Sequence, residues 1–180
     1  MDRLWAGWRS EYIEEVTADE GVRTSVFKGI LESGLPDAET HIVWRGASTF
    51  VILNRFPYIS GHVLVMPYRE VNDIEALTPE EHTELWATVT DAVRAIKTAY
   101  NADGLNIGVN LGSAGGAGVP DHLHVHVMPR WNADSNFMTS VAEARVLPEA
   151  LSVTWRKLRE AWPGQWESRP WTTTPSTASA

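Results

Sequence analysis

Residues 122–128 read His-Leu-His-Val-His-Val-Met, an alternation that few backbone conformations can use. Successive side chains of a β-strand point to opposite faces, so the pattern predicts a strand over His122–Met128. His122, His124 and His126 then share one face, and Leu123, Val125 and Val127 share the other. The aliphatic face needs a cover, and a helix is the expected one. Three of the six histidines in the chain fall within this segment. Just upstream lies a glycine-rich loop, Gly112 to Gly118 (GSAGGAG). Such a loop lets backbone N–H groups approach a ligand closely.

The remaining elements can be placed around that strand. His41–Trp44 and Thr49–Asn54 are short runs rich in Ile, Val and Phe, joined by Arg45-Gly46-Ala47-Ser48, and they predict a strand pair. His62–Met66 predicts a third strand, stopped by Pro67. Leu105–Leu111 predicts a fourth. Between them, Thr78 as N-cap, Pro79 at the first helical position and Glu81 completing a capping box open a helix expected to run to about Tyr100. Its buried stripe is expected to be Leu85, Trp86, Val89, Ala92, Val93 and Ile96. Residues 23–33 predict a short helix or turn, residues 34–40 a loop, and residues 148–161 a closing helix. Strands, helix, then strands argue an α+β fold with an antiparallel sheet. The expected organisation is an N-terminal arm over 1–22, a domain over 23–162 and a loose C-terminal tail over 163–180.

Composition removes several classes. The chain has no cysteine, which excludes disulfides and thiolate metal sites. Its formal net charge is −8 with no basic stripe, so no long nucleic acid is expected as a partner. No apolar run reaches the roughly 18 residues of a membrane helix. Met1–Ser10 lacks the apolar core of a secretory signal. A cytoplasmic location is therefore expected, with no membrane partner.

Three readings of the histidine face are open from the residues alone. One is a solvated strand face. Another is a metal site, limited because residues i and i+4 of a strand lie roughly 13 Å apart and cannot meet on one ion. The third is nucleophilic catalysis at phosphorus. Neutral imidazole can attack through one nitrogen while the other holds a proton. The central residue, His124, would attack, and its neighbours and the loop amides would hold phosphate oxygens.

At this point the sequence resembles the histidine triad superfamily. The resemblance is carried by HLHVHVM at 122–128. It is also carried by Leu53-Asn54-Arg55 with Gly61-His62-Val63-Leu64-Val65-Met66-Pro67, and by Asn110-Leu111-Gly112. Leu4-Trp5, Trp8-Arg9, Tyr12-Ile13, Pro129-Arg130-Trp131 and Asn136-Phe137 look like the actinobacterial, diadenosine tetraphosphate phosphorylase-like branch. The resemblance implies a five-stranded antiparallel sheet with a long helix packed on it, usually in a homodimer. It implies a small nucleotide as substrate and a covalent nucleotidyl intermediate on His124, with His122 and His126 as the other catalytic residues. It places Asn54 near the ribose, with His62 nearby. It places Asn110, His122 and His126 around the phosphates, and Gly116, Ala117 and Gly118 of the glycine-rich loop are expected to bind the nucleotide with them. No cofactor is implied.

Two departures stand out. Many relatives carry a zinc-binding Cys-X-X-Cys whose counterpart here is Ser25-Val26-Phe27-Lys28, so no zinc is expected there. The segment ahead of His122, Gly116 to Asp121, offers no side-chain amide or hydroxyl where many triad hydrolases have both. Asp121 is the one polar side chain left there to orient His122. The activity implied is cleavage of a dinucleoside polyphosphate with phosphate or water as acceptor. A nucleoside phosphoramidate hydrolase and a nucleotide-binding protein of low activity are the alternatives.

Overall fold

The structure, a computed structural model, describes residues 25–132, 134 and 149–164. The arm over 1–22, the Asn136-Phe137 pair and the tail beyond 164 lie outside them. In chain order the elements are α1 (Val26–Glu32), α2 (Asp37–Thr40), β1 (Ile42–Arg45), β2 (Thr49–Leu53), β3 (Val63–Pro67), a short 3-10 turn (Ile74–Ala76), α3 (Pro79–Tyr100), β4 (Gly104–Val109), β5 (Val125–Arg130) and α4 (Leu151–Ala161). The five strands form one sheet in the order β1-β2-β3-β5-β4, antiparallel throughout. This is the α+β sheet-and-helix architecture that the element order predicts.

Local chemistry explains most boundaries. Thr78 accepts from Glu81 N–H, and the Glu81 side chain returns a bond to the Thr78 N–H, so the capping box forms. At the other end Asn101 takes a left-handed conformation with φ 47°, which asparagine tolerates better than most residues. The 34–40 segment, expected as a loop, holds the single turn α2, with Pro36 as its N-cap and Asp37 and Glu39 favoured near its N-terminus. Pro67, expected to stop β3, is instead its last residue, paired with Thr49. Strand β5 begins at Val125, so His122 and His124 lie in the lead-in to it.

Strands β2 and β3 are buried on both faces of the sheet. On one, Leu53, Val63, Val65, Val125 and Val127 pack with Leu85, Val89, Ala92, Ala95 and Ile96 of α3. On the other, Phe27 of α1 covers Ile42, Phe50, Ile52, Leu64 and Met66. Burial of each large aliphatic side chain contributes roughly 1.5–3 kcal/mol, so α3 is held mainly by packing. The expected α3 stripe needs one correction. Trp86 is 37% exposed, and its indole N–H donates to His82 Nε2 at 3.2 Å one turn away. The positions that replace it in the interface are Glu84 and Thr88, both buried.

Glu84 is a carboxylate within the α3–sheet contact. It accepts from the N–H and hydroxyl of Ser48, at 3.0 and 2.5 Å, and from those of Thr49, at 3.3 and 3.1 Å. A charged acceptor buried with four donors is satisfied rather than stranded. The β1–β2 turn is thereby tied to the helix. Gly46 belongs to the same contact, since a Cβ there would sit 2.2 Å from Glu84 Oε1. At the outer edge of β1, α4 covers the carbonyls of Ile42 and Val43 with Trp155 Nε1 and Arg159, each at 2.8 Å. Glu84→Ala is expected to destabilise the fold by about 2–4 kcal/mol in urea melts, because two buried donors of Thr49 and two part-buried donors of Ser48 lose their acceptor. Glu84→Gln, which keeps one acceptor oxygen, is expected to cost clearly less.

Candidate functional site

Antiparallel pairing of β3 with β5 sets Leu64 opposite His126 and Val63 opposite Val127. The even-numbered residues of β5 therefore face the layer that contains Leu64, Phe27 and Met66, away from α3. His62 stands one residue ahead of β3 and comes against His126. On the far side of β5, Gly108 lies opposite His126, with nothing within 4 Å of where a Cβ would stand. Four imidazoles are thus brought together, all of them buried: His62 and His122 are each 1% exposed, His124 6% and His126 8%.

The hydrogen bonds fix which nitrogen of each ring holds a proton. A carbonyl only accepts, so His124 Nδ1, 2.7 Å from His122 O, is the donor and the lone pair is on Nε2. His122 Nε2 donates to Pro67 O at 2.8 Å, and its Nδ1 accepts from the Ser25 hydroxyl at 3.0 Å. His62 Nδ1 accepts from the Tyr58 N–H at 3.2 Å and faces the Asn54 amide nitrogen at 3.4 Å. His62 Nε2 must then donate to His126 Nδ1, 2.9 Å away. It follows that His126 carries its own proton on Nε2. Tyr58 stacks on His62 at 5.0 Å between centroids and closes this side of the cluster.

Burial favours the neutral form of His62, His122 and His124. It holds His124 below the usual histidine value, an effect opposed by the bond to the His122 carbonyl. It also lowers His122, with the Pro67 carbonyl opposing. His62 is pushed down to about 3, by burial first and then by its neighbours His126 and His124. A neutral His124 with a lone pair on Nε2 is a competent nucleophile.

An open cleft of about 510 Å³ lies over the cluster. Its walls are Phe27, Asn54, Phe56, Tyr58, Leu64, Asn110, Gly116, Gly118, Val119, His124 and His126. Of the candidates taken from the sequence, Asn54, Asn110, Gly116, Gly118, His124 and His126 meet there. Ala117, His62 and His122 are not among the walls. His62 backs His126, and His122 backs His124. The loop is more tightly folded than a simple amide cradle. The N–H groups of Gly116 and Ala117 donate inside it to Ser113 O and Gly112 O, and Asn110 reaches Gly116 O at 3.4 Å. Gly115 is required there, because a Cβ would come within 2.3 Å of Leu111 O. Asn54 Oδ1 accepts from the Phe56 N–H at 3.0 Å, an Asx turn that sets the cleft's rim.

Two expectations change. Asp121 is exposed and does not orient His122, because both ring nitrogens of His122 are taken by Ser25 and Pro67. The segment 25–28, considered in the sequence for the cysteines it lacks, supplies Ser25 and Phe27 instead. Phe27 lies edge-on to His122 at 5.4 Å and tilted against His124 at 5.9 Å. Sequence reasoning did not single out Phe27, Phe56, Tyr58, Leu64 or Val119 as cleft walls. The signals for them were faint: aromatics after Asn54, and an apolar position facing the histidine strand. Among the described residues, no group of three or more His, Asp or Glu is placed to hold a metal ion. No described helix is long and apolar enough to cross a membrane.

The acid response of stability follows from these burials. The folded-state value of His62 lies below its unfolded value, so the unfolded chain binds more protons between about pH 6.5 and about pH 3. Stability is therefore lost as pH falls through that window. For His62 alone, the loss between pH 7 and pH 5 is expected to be about 2 kcal/mol in urea melts, and His62→Gln is expected to flatten that dependence.

Known proteins resemble this chain in sequence and fold. Residues 36–133 match the HIT domain family model. The chain is 38% identical over 168 residues to a protein of Mycobacterium tuberculosis named AP-4-A phosphorylase, covering 92% of this chain and 86% of that one. It is 37% identical over 95 residues to the asymmetrical bis(5'-nucleosyl)-tetraphosphatase of Schizosaccharomyces pombe, covering 53% and 52% of the two chains. A zinc-bound histidine triad protein of Mycobacterium smegmatis superposes with a TM-score of 0.63 at 27% identity, over 77% of this chain and 92% of that one. In the present chain, Ser25 to Lys28 offers no sulfur donor and His122 has both nitrogens committed, so that stretch does not suit zinc. With an imidazole cluster, a glycine loop and a sheet of this order, the chain is a member of the histidine triad family of enzymes.

Proposed function

We propose that the chain is a nucleotidyl-transfer enzyme that cleaves a dinucleoside polyphosphate, diadenosine tetraphosphate first among candidates, through a covalent nucleotidyl-His124. The observation that carries the reading is the 2.7 Å bond from His124 Nδ1–H to the His122 carbonyl, which leaves the lone pair on Nε2 of a ring that lines the cleft. The names of the relatives from Mycobacterium tuberculosis and Schizosaccharomyces pombe support the substrate class.

In this reading Nε2 of His124 attacks the α-phosphorus. The P–N bond forms, the bond to the bridging oxygen breaks, and its electron pair leaves with the remaining polyphosphate nucleotide. Positive charge on the substituted imidazole is delocalised to Nδ1–H and met by the His122 carbonyl dipole. His126, with its proton on Nε2, donates to a non-bridging phosphate oxygen, and His62 fixes that proton arrangement from behind. Asn54 stands at the ribose end of the cleft, with Phe27 and Leu64 offering an apolar wall for a base. Asn110, Gly116 and Gly118 flank the phosphates. In the second half, an oxygen of phosphate or water attacks the same phosphorus and the P–N bond breaks, restoring neutral His124. We further assign the domain to residues 23–162 and the working form to a homodimer in the cytoplasm.

The decisive test is brief incubation with diadenosine tetraphosphate, quenching, and mass spectrometry of the peptide holding residue 124. An adenylate adduct on His124 is expected, and none in His124→Ala, whose turnover should fall by at least about 10⁴-fold. Normal turnover in His124→Ala would end the proposal. Because burial holds His124 below its ordinary value, the acid limb of kcat/KM is expected to lie below pH 6.5. Repeating the assay with and without inorganic phosphate distinguishes the two acceptors.

A further inference from the structure

Ser25 occupies the N-cap of α1, where a serine hydroxyl ordinarily accepts from a backbone N–H of the first turn. It makes no such bond here. Its hydroxyl is instead 3.0 Å from His122 Nδ1, a residue 97 positions away in sequence. Both partners are buried, Ser25 at 7% exposure and His122 at 1%. The direction of the bond is fixed by its neighbour. Pro67 O takes the proton on His122 Nε2 at 2.8 Å, so Nδ1 has the lone pair and Ser25 must donate. A helix start that gives up its own cap for a distant side chain breaks a local rule, and such breaks mark places where something beyond the fold is being served.

What is served can be traced atom by atom. The ring of His122 is held at both nitrogens, by Ser25 on one side and Pro67 on the other. The carbonyl of the same residue accepts the Nδ1 proton of His124 at 2.7 Å. Phe27, two residues after Ser25, presses edge-on against His122 and tilts against His124. The start of α1 therefore grips the residue that orients the attacking ring, without itself reaching the phosphate.

We infer that Ser25 is a positioning residue for the His124 nucleophile, acting through His122. This rests on the function proposed above and deepens it. Without the hydroxyl, His122 Nδ1 loses its donor in a buried setting, and the ring is released to turn or to exchange its proton between nitrogens. The peptide unit whose carbonyl holds His124 is then fixed by the Leu123 N–H bond to Val71 O at 2.6 Å without the support of a fixed His122 ring. A misplacement of about 1 Å at a reacting group costs up to about 100-fold in rate.

The experiment compares Ser25→Ala, Ser25→Thr and Ser25→Val in the full chain. Thr and Val have the same shape, and Thr alone keeps the hydroxyl. Ala and Val are expected to lower kcat on diadenosine tetraphosphate by about 10–100-fold with KM nearly unchanged, while Thr retains most of the wild-type kcat. Long-range ¹H–¹⁵N spectra of the imidazoles give the second readout. Wild-type His122 is expected in the Nε2–H form, and Ser25→Ala in a mixture of tautomers. A folded Ser25→Ala with wild-type kcat overturns the inference, and so does a loss of kcat with His122 still wholly in the Nε2–H form. If the variants do not fold, the wild-type spectrum decides, since an Nδ1–H form at His122 contradicts the assignment. A wild-type protein inactive on diadenosine tetraphosphate would defeat the proposed function and leave the His122 spectrum as a separate test.

Discussion

The His122 carbonyl accepts the Nδ1 proton of His124 across 2.7 Å, and the chemistry available to the cleft depends on that bond. Were the proton on Nε2, the ring would present a donor to phosphate and could not attack it. Backbone geometry enforces the choice, because an oxygen two residues back in an extended segment has no proton to offer. Burial opposes the charged form of His62, His122 and His124, which favours the neutral rings that this proton order requires. Each proton is placed by an acceptor or donor with one possible role: Pro67 O for His122, His122 O for His124, and the Tyr58 N–H for His62.

Strand register carries this proton order from one side of the cluster to the other. Leu64 opposite His126 brings His62 onto His126, and Gly108 pairs with His126 on the other side. A slip of one residue would turn His124 and His126 into the α3 core and put Val125 and Val127 in the cleft. The apolar contacts of Val125 and Val127 with α3 prevent it. The same alternation thus specifies the packing and the site. That coupling accounts for much of what the sequence disclosed, including the strand set, the long helix with its capping box, and a cluster of imidazoles on one face.

What the sequence concealed lies in contacts between residues far apart. Ser25 drew attention only as a position without cysteine, because nothing local ties a serine at a helix start to a histidine 97 positions on. Pro67 was legible as a strand breaker but not as the acceptor for His122. Helical spacing does not single out Glu84. It is buried because the β1–β2 turn presents four donors to it, a requirement that exists only once turn and helix meet. Trp86 failed in the other direction. Helical spacing put it on the apolar stripe, but its ring lies off the sheet and leans on His82. Helical periodicity assigns a face to a side chain without saying how far the sheet reaches under it.

Among the described residues that line the cleft, none is a lysine, an arginine or an acid. For the proposed reaction this has a physical consequence. A lysine would attract the phosphates of substrate, intermediate and product almost equally, which tightens binding without lowering the barrier. Fixed N–H dipoles act over short distances, so their effect depends on where the oxygens sit. An imidazole N–H held from behind, as His126 is by His62, can match the oxygens of the five-coordinate phosphorus better than those of the resting ester. A chain of net charge −8 can handle a polyphosphate on these terms, because recognition is delegated to a few oriented dipoles. The demand for orientation then returns to the packing behind each ring, and the buried contacts of Ser25, Pro67, Phe27 and Tyr58 meet it.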